Sequence, residues 1–238
     1  MTEILAVSEL RKSFGALRVA DRISFVVRQG EILGIIGPNG AGKTTLFGLL
    51  AGNISADSGR IEFDGADVTH LPAHDRARAG LARTYQIPRP FTHMTVFDNL
   101  LVAARFGGDM DEAEAESWVE RVIGAMGLRA ERNTLAGRLP LLMRKRHELA
   151  RALATRPKLV LVDEVAAGLT DAEVEQFIAL IRGIRDSGIT VVWIEHVMKT
   201  MLTATDRLIA LDAGQLLASG PPQEVINASE VRRVYLGA

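Results

Sequence analysis

The sequence has no cysteine. Disulfides and thiolate metal ligands are therefore excluded, and the composition suits a reducing compartment. It also lacks a charge excess of either sign: 28 Lys and Arg stand against 29 Asp and Glu, for a formal net charge of −1. That balance gives no support to a broad basic surface for nucleic acid. No apolar run approaches the roughly 18–20 residues that a membrane-spanning helix needs, so any membrane role is expected to come through a partner. The opening Met1-Thr2-Glu3-Ile4-Leu5 is too short and too acidic for a secretory signal. The five histidines are scattered, with no pair at metal-ligand spacing on one helix face. Repeats and low-complexity segments are absent too. What is present is 238 residues, 47% of them hydrophobic, enough for one large α/β domain with its own core.

Residues 32–46 read as an apolar strand, a glycine-rich turn and a helix start. Within them Gly37-Pro38-Asn39-Gly40-Ala41-Gly42-Lys43-Thr44 fits the phosphate-binding pattern G-x-x-x-x-G-K-[ST], and Thr45 follows in the helix. Glycines let the backbone turn tightly around phosphates with its N–H groups pointing inward. The helix opening at Lys43 offers free N–H groups and its positive dipole end to the same anion. Lys43 adds a point charge for the β- and γ-phosphates, and the Thr44 hydroxyl can ligate Mg²⁺.

Around this turn the pattern is that of a P-loop α/β protein. Residues 4–10 and 23–28 read as strands, with a turn at 12–15. Residues 59–65 form a strand ending in an Asp-Gly turn, and 81–86 another short strand. The Pro-rich stretch 87–91 then breaks regular structure. Helical periodicity follows at 96–104, 112–126 (with Gly127 as its cap) and 141–155, while strand signals vanish. Buried strands resume at 158–164 and 190–196 on either side of an amphipathic helix at 171–187. A hairpin at 207–219 and a short terminal helix close the chain. The expected architecture is a mainly parallel sheet with flanking helices, an antiparallel β layer and a helical subdomain. Residues 1–86 and 158–238 form the catalytic lobe, and 87–157 the helical subdomain, of a single 1–238 domain.

Three strand ends carry chemistry. Asp163 and Glu164 close an apolar strand about 120 residues after the P-loop, where an acid completes a Mg²⁺ shell and a second can activate water. His196 closes another strand, at the edge where such sheets place ligand contacts. Read alone, it is either a γ-phosphate donor or a structural hydrogen-bonder. Gln86, at a third strand end, is uninformative by itself. Phe14 reads as either a core aromatic or a platform for adenine.

Taken together, Phe14, residues 37–44, Gln86, residues 159–164, Gly168-Leu169 and His196 resemble the ATP-binding subunit of ABC transporters over essentially the whole chain. Ala-Arg-Thr-Tyr-Gln, Met-Thr-Val-Phe-Asp-Asn-Leu-Leu-Val-Ala, Ala-Ala-Gly-Leu and the ending Tyr235-Leu236-Gly237-Ala238 look most like the branched-chain amino-acid importer branch, with the lipopolysaccharide-export branch close by. The resemblance implies Phe14 under adenine and Gly37, Pro38, Asn39, Gly40, Ala41, Gly42, Lys43, Thr44 and Thr45 around the phosphates of ATP. It implies Mg²⁺ held by Thr44, Gln86 and Asp163, Glu164 as general base, and His196 and Gln86 at the γ-phosphate. It also implies transmembrane permease subunits, an indirect link to a periplasmic or extracellular solute-binding protein, and a peripheral place on the cytoplasmic face of the inner membrane. No nucleic-acid partner is expected.

One family element is degenerate. The signature loop, Leu-Ser-Gly-Gly-Gln or similar, falls here on Leu139-Pro140-Leu141-Leu142-Met143. Leu142 replaces the key glycine and Met143 the glutamine. In the family this loop reaches the γ-phosphate held by the opposite subunit, so two copies would both be defective. The expectation is therefore a heterodimer with a second ATP-binding subunit whose signature is intact, leaving one competent and one weak site. Arg144, Lys145 and Arg146 are expected on a solvated helix face. Val165 stands where the family has proline, and Thr170-Asp171 where it has Asn-Pro. A homodimeric lipid or lipopolysaccharide exporter and a nucleotide-dependent switch with little hydrolysis are the competing readings. A DNA-repair or translation ATPase lacks its usual coiled coil, tandem domains or basic patches.

Overall fold

The computed structural model describes residues 2–236; Met1, Gly237 and Ala238 lie outside the described residues, and with them the end of the Tyr235–Ala238 string. The chain opens with a long hairpin, β1 (Glu3–Phe14) and β2 (Leu17–Arg28), then β3 (Ile32–Ile36) leads through the glycine-rich turn into α1 (Lys43–Leu50). The hairpin is longer than the sequence suggests. Phe14 closes β1 opposite Leu17 instead of sitting in a turn at 12–15. Next come β4 (Ser58–Phe63), β5 (Ala66–Asp67), α2 (Ala73–Ala79) and β6 (Leu81–Arg83). Three helices follow, α3 (Val96–Gly107), α4 (Glu112–Ala125) and α5 (Leu141–Ala154). The last part is β7 (Leu159–Asp163), α6 (Asp171–Asp186), β8 (Thr190–Ile194), α7 (Met198–Ala204), β9 (Arg207–Asp212), β10 (Gln215–Gly220), α8 (Pro222–Asn227) and α9 (Ser229–Leu236).

Two sheets result. The first is antiparallel, in the order β2-β1-β4-β5; the second runs β10-β9-β3-β8-β7-β6. In the second, β6, β7, β8, β3 and β9 are parallel and β10 returns antiparallel. Side chains on β3 alternate between two cores, as a strand period of two requires. Leu33 and Ile35 face the antiparallel sheet, with Leu5, Ile23, Ile61 and α1's Leu46 and Phe47. Ile32 and Ile36 face the helical side, with Leu100, Val119, Leu149, Phe177 and Trp193. The helices at 96–154 thus share their core with the underside of the sheet. Each fully buried Leu or Ile contributes roughly 1.5–3 kcal/mol of transfer free energy. Gly34 has no room for more: a Cβ there would stand 2.2 Å from Leu208 Cδ2.

Helix ends follow their local chemistry. Thr95 and Thr170 both form capping boxes, with Asp98 and Glu173. Thr170-Asp171 is therefore a well-made helix start despite departing from Asn-Pro. The helix at 112–126 ends at Ala125, with Met126 as cap, and Gly127 takes the left-handed turn beyond it at φ 65°. Buried Arg76 of α2 closes the C-terminus of α1 by donating to Leu49 O (2.7 Å) and Leu50 O (2.8 Å). The strand expected over 81–86 stops at Arg83. Thr84 still donates to Leu161 O, but the Tyr85 and Arg89 N–H groups turn to Glu148 of α5 and draw the chain off the sheet.

Candidate functional site

The glycine-rich turn sits at the carboxyl end of β3, between the two sheets. Gly42 caps α1 in the left-handed region, φ 98°, and no side chain caps the helix. A Cβ at Gly42 would lie 2.3 Å from Val19 O, so position 42 demands glycine twice over. The first amides of α1 have no intrahelical acceptor and point into the turn. Lys43 is buried and donates to Gly37 O (2.8 Å) and Pro38 O (3.0 Å), closing over the loop. Burial pushes its ammonium below the ordinary lysine range, against the pull of Glu164 and Asp163. A cavity of about 260 Å³ is lined by residues 39–45, Glu164, Leu17 and Val19. Phe14 lies 51% exposed at the end of β1, under the Lys12 ammonium. It does not line that cavity. Leu17 and Val19 do, and the sequence reading misses them because β2 begins earlier than expected.

Asp163 ends β7 and is buried. One carboxylate oxygen accepts from Arg83 Nη2 at 2.9 Å; the other, Oδ1, is buried with no partner. Burial pushes its carboxyl above the usual range, with the Arg83 hydrogen bond opposing the shift. Asp163, Thr44 and Gln86, the residues expected around Mg²⁺, carry carboxylate, hydroxyl and amide oxygens, donors of the kind that ion takes. Among the described residues no cluster of three or more His, Asp or Glu could hold a metal.

Glu164 follows in the left-handed region at φ 45°, an unfavourable conformation for a glutamate. Its N–H donates to Ile194 O at 3.0 Å. Gln86 Nε2 donates to Glu164 Oε2, and His196 Nε2 meets Glu164 Oε1. Both side chains read as γ-phosphate contacts are thus gathered on the carboxylate read as the base. Neither lies in a strand: β6 ends three residues before Gln86, and β8 two before His196.

At the start of α5 the structure corrects the sequence reading. Pro140 caps the helix without a side-chain hydrogen bond, and Leu141 is 47% exposed. Lys145, expected in solvent, is 5% exposed; burial pushes its ammonium below the ordinary lysine range, against the pull of the Glu195 and Glu164 charges. Arg144 and Arg146 are half-buried; Arg144 Nη2 donates to Leu139 O (3.1 Å) and Arg146 Nη2 to Gln176 Oε1 (2.7 Å). The basic run is spent inside the subunit because α5 packs on two sides. Val165 is buried in the proline position.

A glycine-rich phosphate loop after β3 and two adjacent acids at the end of β7, on this mixed sheet, define a P-loop nucleotide-binding ATPase cassette. The chain belongs to the ABC transporter ATP-binding family, whose model matches residues 20–167. It is 35% identical to the lipopolysaccharide export system ATP-binding protein LptB of Haemophilus influenzae, over 98% of this chain and 97% of that one. It is also 35% identical to the high-affinity branched-chain amino acid transport ATP-binding protein BraF of Pseudomonas aeruginosa, over 98% of each. A solved ATP-binding cassette of an ABC transporter in its ADP conformation superposes with a TM-score of 0.92 at 30% identity, covering all of both chains.

Proposed function

We propose that this chain hydrolyses ATP to energise uptake of branched-chain or other hydrophobic amino acids or related small solutes. Its partner is a second, different ATP-binding subunit with an intact signature. One observation carries the reading: the nucleotide-gripping half is complete, while α5 begins Pro140-Leu141-Leu142-Met143. Pro140 offers neither hydroxyl nor N–H, and Leu142 blocks the close approach that glycine permits.

In this reading Lys43 and the loop amides hold the phosphates, and Phe14 stacks under adenine. Thr44, Gln86 and Asp163 would hold Mg²⁺, which when bound offsets negative charge on the phosphates. Glu164 takes a proton from the attacking water, and His196 donates to the γ-phosphate once nucleotide draws it from Glu164. Residues 87–157 move as a helical subdomain against the lobe 1–86 and 158–238. Membrane subunits dock in the groove of about 300 Å³ lined by His74, Tyr85, Ala103, Glu148 and Arg151. The adjoining segment exposes Ile87, Phe91 and Phe106. The family resemblance supports a peripheral subunit on the cytoplasmic face, and among the described residues no helix is long and apolar enough to cross a membrane. A solute-binding protein would act outside, through the permease.

Similarity to LptB keeps a homodimeric exporter as the second reading. ATPase assays separate the two. Activity should be low for the chain alone, rise with the partner, and fall when the partner's signature is mutated. High activity alone, indifferent to the partner, favours the homodimer.

A further inference from the structure

The loops that carry Glu164 and His196 are joined by a side chain so far without a role. Glu195 follows β8 directly and is 2% exposed. Its Oε1 accepts the Ala166 N–H at 2.6 Å, and its Oε2 accepts the His196 N–H at 3.0 Å. One buried carboxylate therefore fastens the backbone just after Glu164 to the backbone of His196. Its own strand does the same from the other side, since Ile194 O accepts the Glu164 N–H.

A carboxylate suits this post because it is acceptor-only and takes two N–H groups on two oxygens. A glutamine would set its own N–H group against one of them. Burying the charge is expensive unless it is paired or hydrogen-bonded. Here burial pushes the carboxyl up, the amides of Ala166, His196 and Val197 oppose that push, and the nearby Glu164 charge adds to it. Glu164 has particular need of such a fastening. A left-handed glutamate persists only where its surroundings over-determine it.

We propose that Glu195 is a positioning residue, which sets the distance between Glu164 and His196 by tying the two loops that bear them. It touches neither nucleotide nor water. The proposal rests on the reading of Glu164 as base and His196 as phosphate contact. Its consequence is that the geometry of the base depends on a group outside the phosphate cradle.

The test uses the full chain, in complex with its partner ATP-binding subunit, as E195A and E195Q beside wild type. Single-turnover hydrolysis of Mg-ATP by excess protein, nucleotide affinity and amide hydrogen exchange are measured on each. E195A is expected to hydrolyse about a hundredfold more slowly, the scale of a one-ångström misplacement. Its nucleotide affinity should stay within about threefold of wild type, since only transition-state stabilisation is lost. Exchange should speed up at the Ala166 and His196 amides, while the β3 amides keep their protection. E195Q, which preserves shape if alanine impairs folding, should lose protection at one of the two loops and fall between. Wild-type exchange at both loops in both variants overturns the proposal, as does loss of nucleotide affinity in step with rate. If the loops loosen but E164Q hydrolyses like wild type, the tie stands and the reading of Glu164 as base fails instead.

Discussion

Replacing His147 by leucine should stabilise the protein increasingly as pH falls. His147 lies in α5, fully buried, and neither ring nitrogen has a hydrogen-bond partner. Burial pushes its pKa down from 6.5 to about 4, with the Arg151 charge acting in the same direction. The sign follows from linkage. The folded pKa lies below the unfolded one, so between about 6.5 and 4 the unfolded chain binds the proton and the folded chain does not. Acidification through that window therefore favours unfolding. At pH 7.5 the titration contributes almost nothing. At pH 5.0 the populations of the two states give about 2 kcal/mol of destabilisation, from 1.36 kcal/mol per pKa unit. Leucine removes the titration and leaves no buried nitrogen unpaired, which adds a pH-independent gain of about 1 kcal/mol. The buried carboxylates Asp163, Glu148 and Glu195 titrate in both proteins and cancel in the difference. The assay is urea unfolding of wild type and H147L at pH 7.5 and 5.0. The leucine advantage should widen by about 2 kcal/mol at the lower pH. A difference that stays constant across the two pH values would refute the argument.

Three further outcomes follow from the site. K43A should weaken ATP binding by about 30-fold, on the order of the 2 kcal/mol expected for a charge-assisted contact, as read by titration of a fluorescent ATP analogue. D163N should leave metal-free nucleotide binding nearly unchanged but raise the Mg²⁺ concentration needed for half-maximal binding by about tenfold, since one oxygen donor is lost. E164Q should retain ATP binding while single-turnover hydrolysis drops by about 10²–10⁴-fold, the range for removing a general base. Unchanged turnover would take Glu164 out of that role.

Much of this site could be read from the chain because its parts are contiguous or stand at strand ends. Residues 37–44 are one loop, and Asp163 closes an apolar run whose burial the composition announces. The departures have tertiary causes. Glu148 captures the Tyr85 and Arg89 amides, so the strand before Gln86 is shorter than its residues suggest. Lys145 and His147 look polar in sequence, but α5 packs on two sides and buries both. Glu195 carries no mark in the sequence, because nothing local tells an acid that faces solvent from one that ties two loops. The unforeseen helices α2, α7 and α8 span only six or seven residues each, too few for helical periodicity to declare itself. Leu17 and Val19 become cradle residues only once the β1–β2 hairpin folds back over the phosphate loop.

The proposed function pairs a nucleotide-gripping half with a signature loop altered to Pro140-Leu141-Leu142-Met143. The most direct test of that pairing is steady-state ATP turnover by the purified chain alone, beside a variant with the signature rebuilt as P140S, L141G, L142G and M143Q. Little turnover is expected from the chain as it stands, and cooperative turnover once the rebuilt loop at positions 140–143 can reach a second copy's γ-phosphate. Robust, cooperative turnover by the unaltered chain alone would contradict the reading.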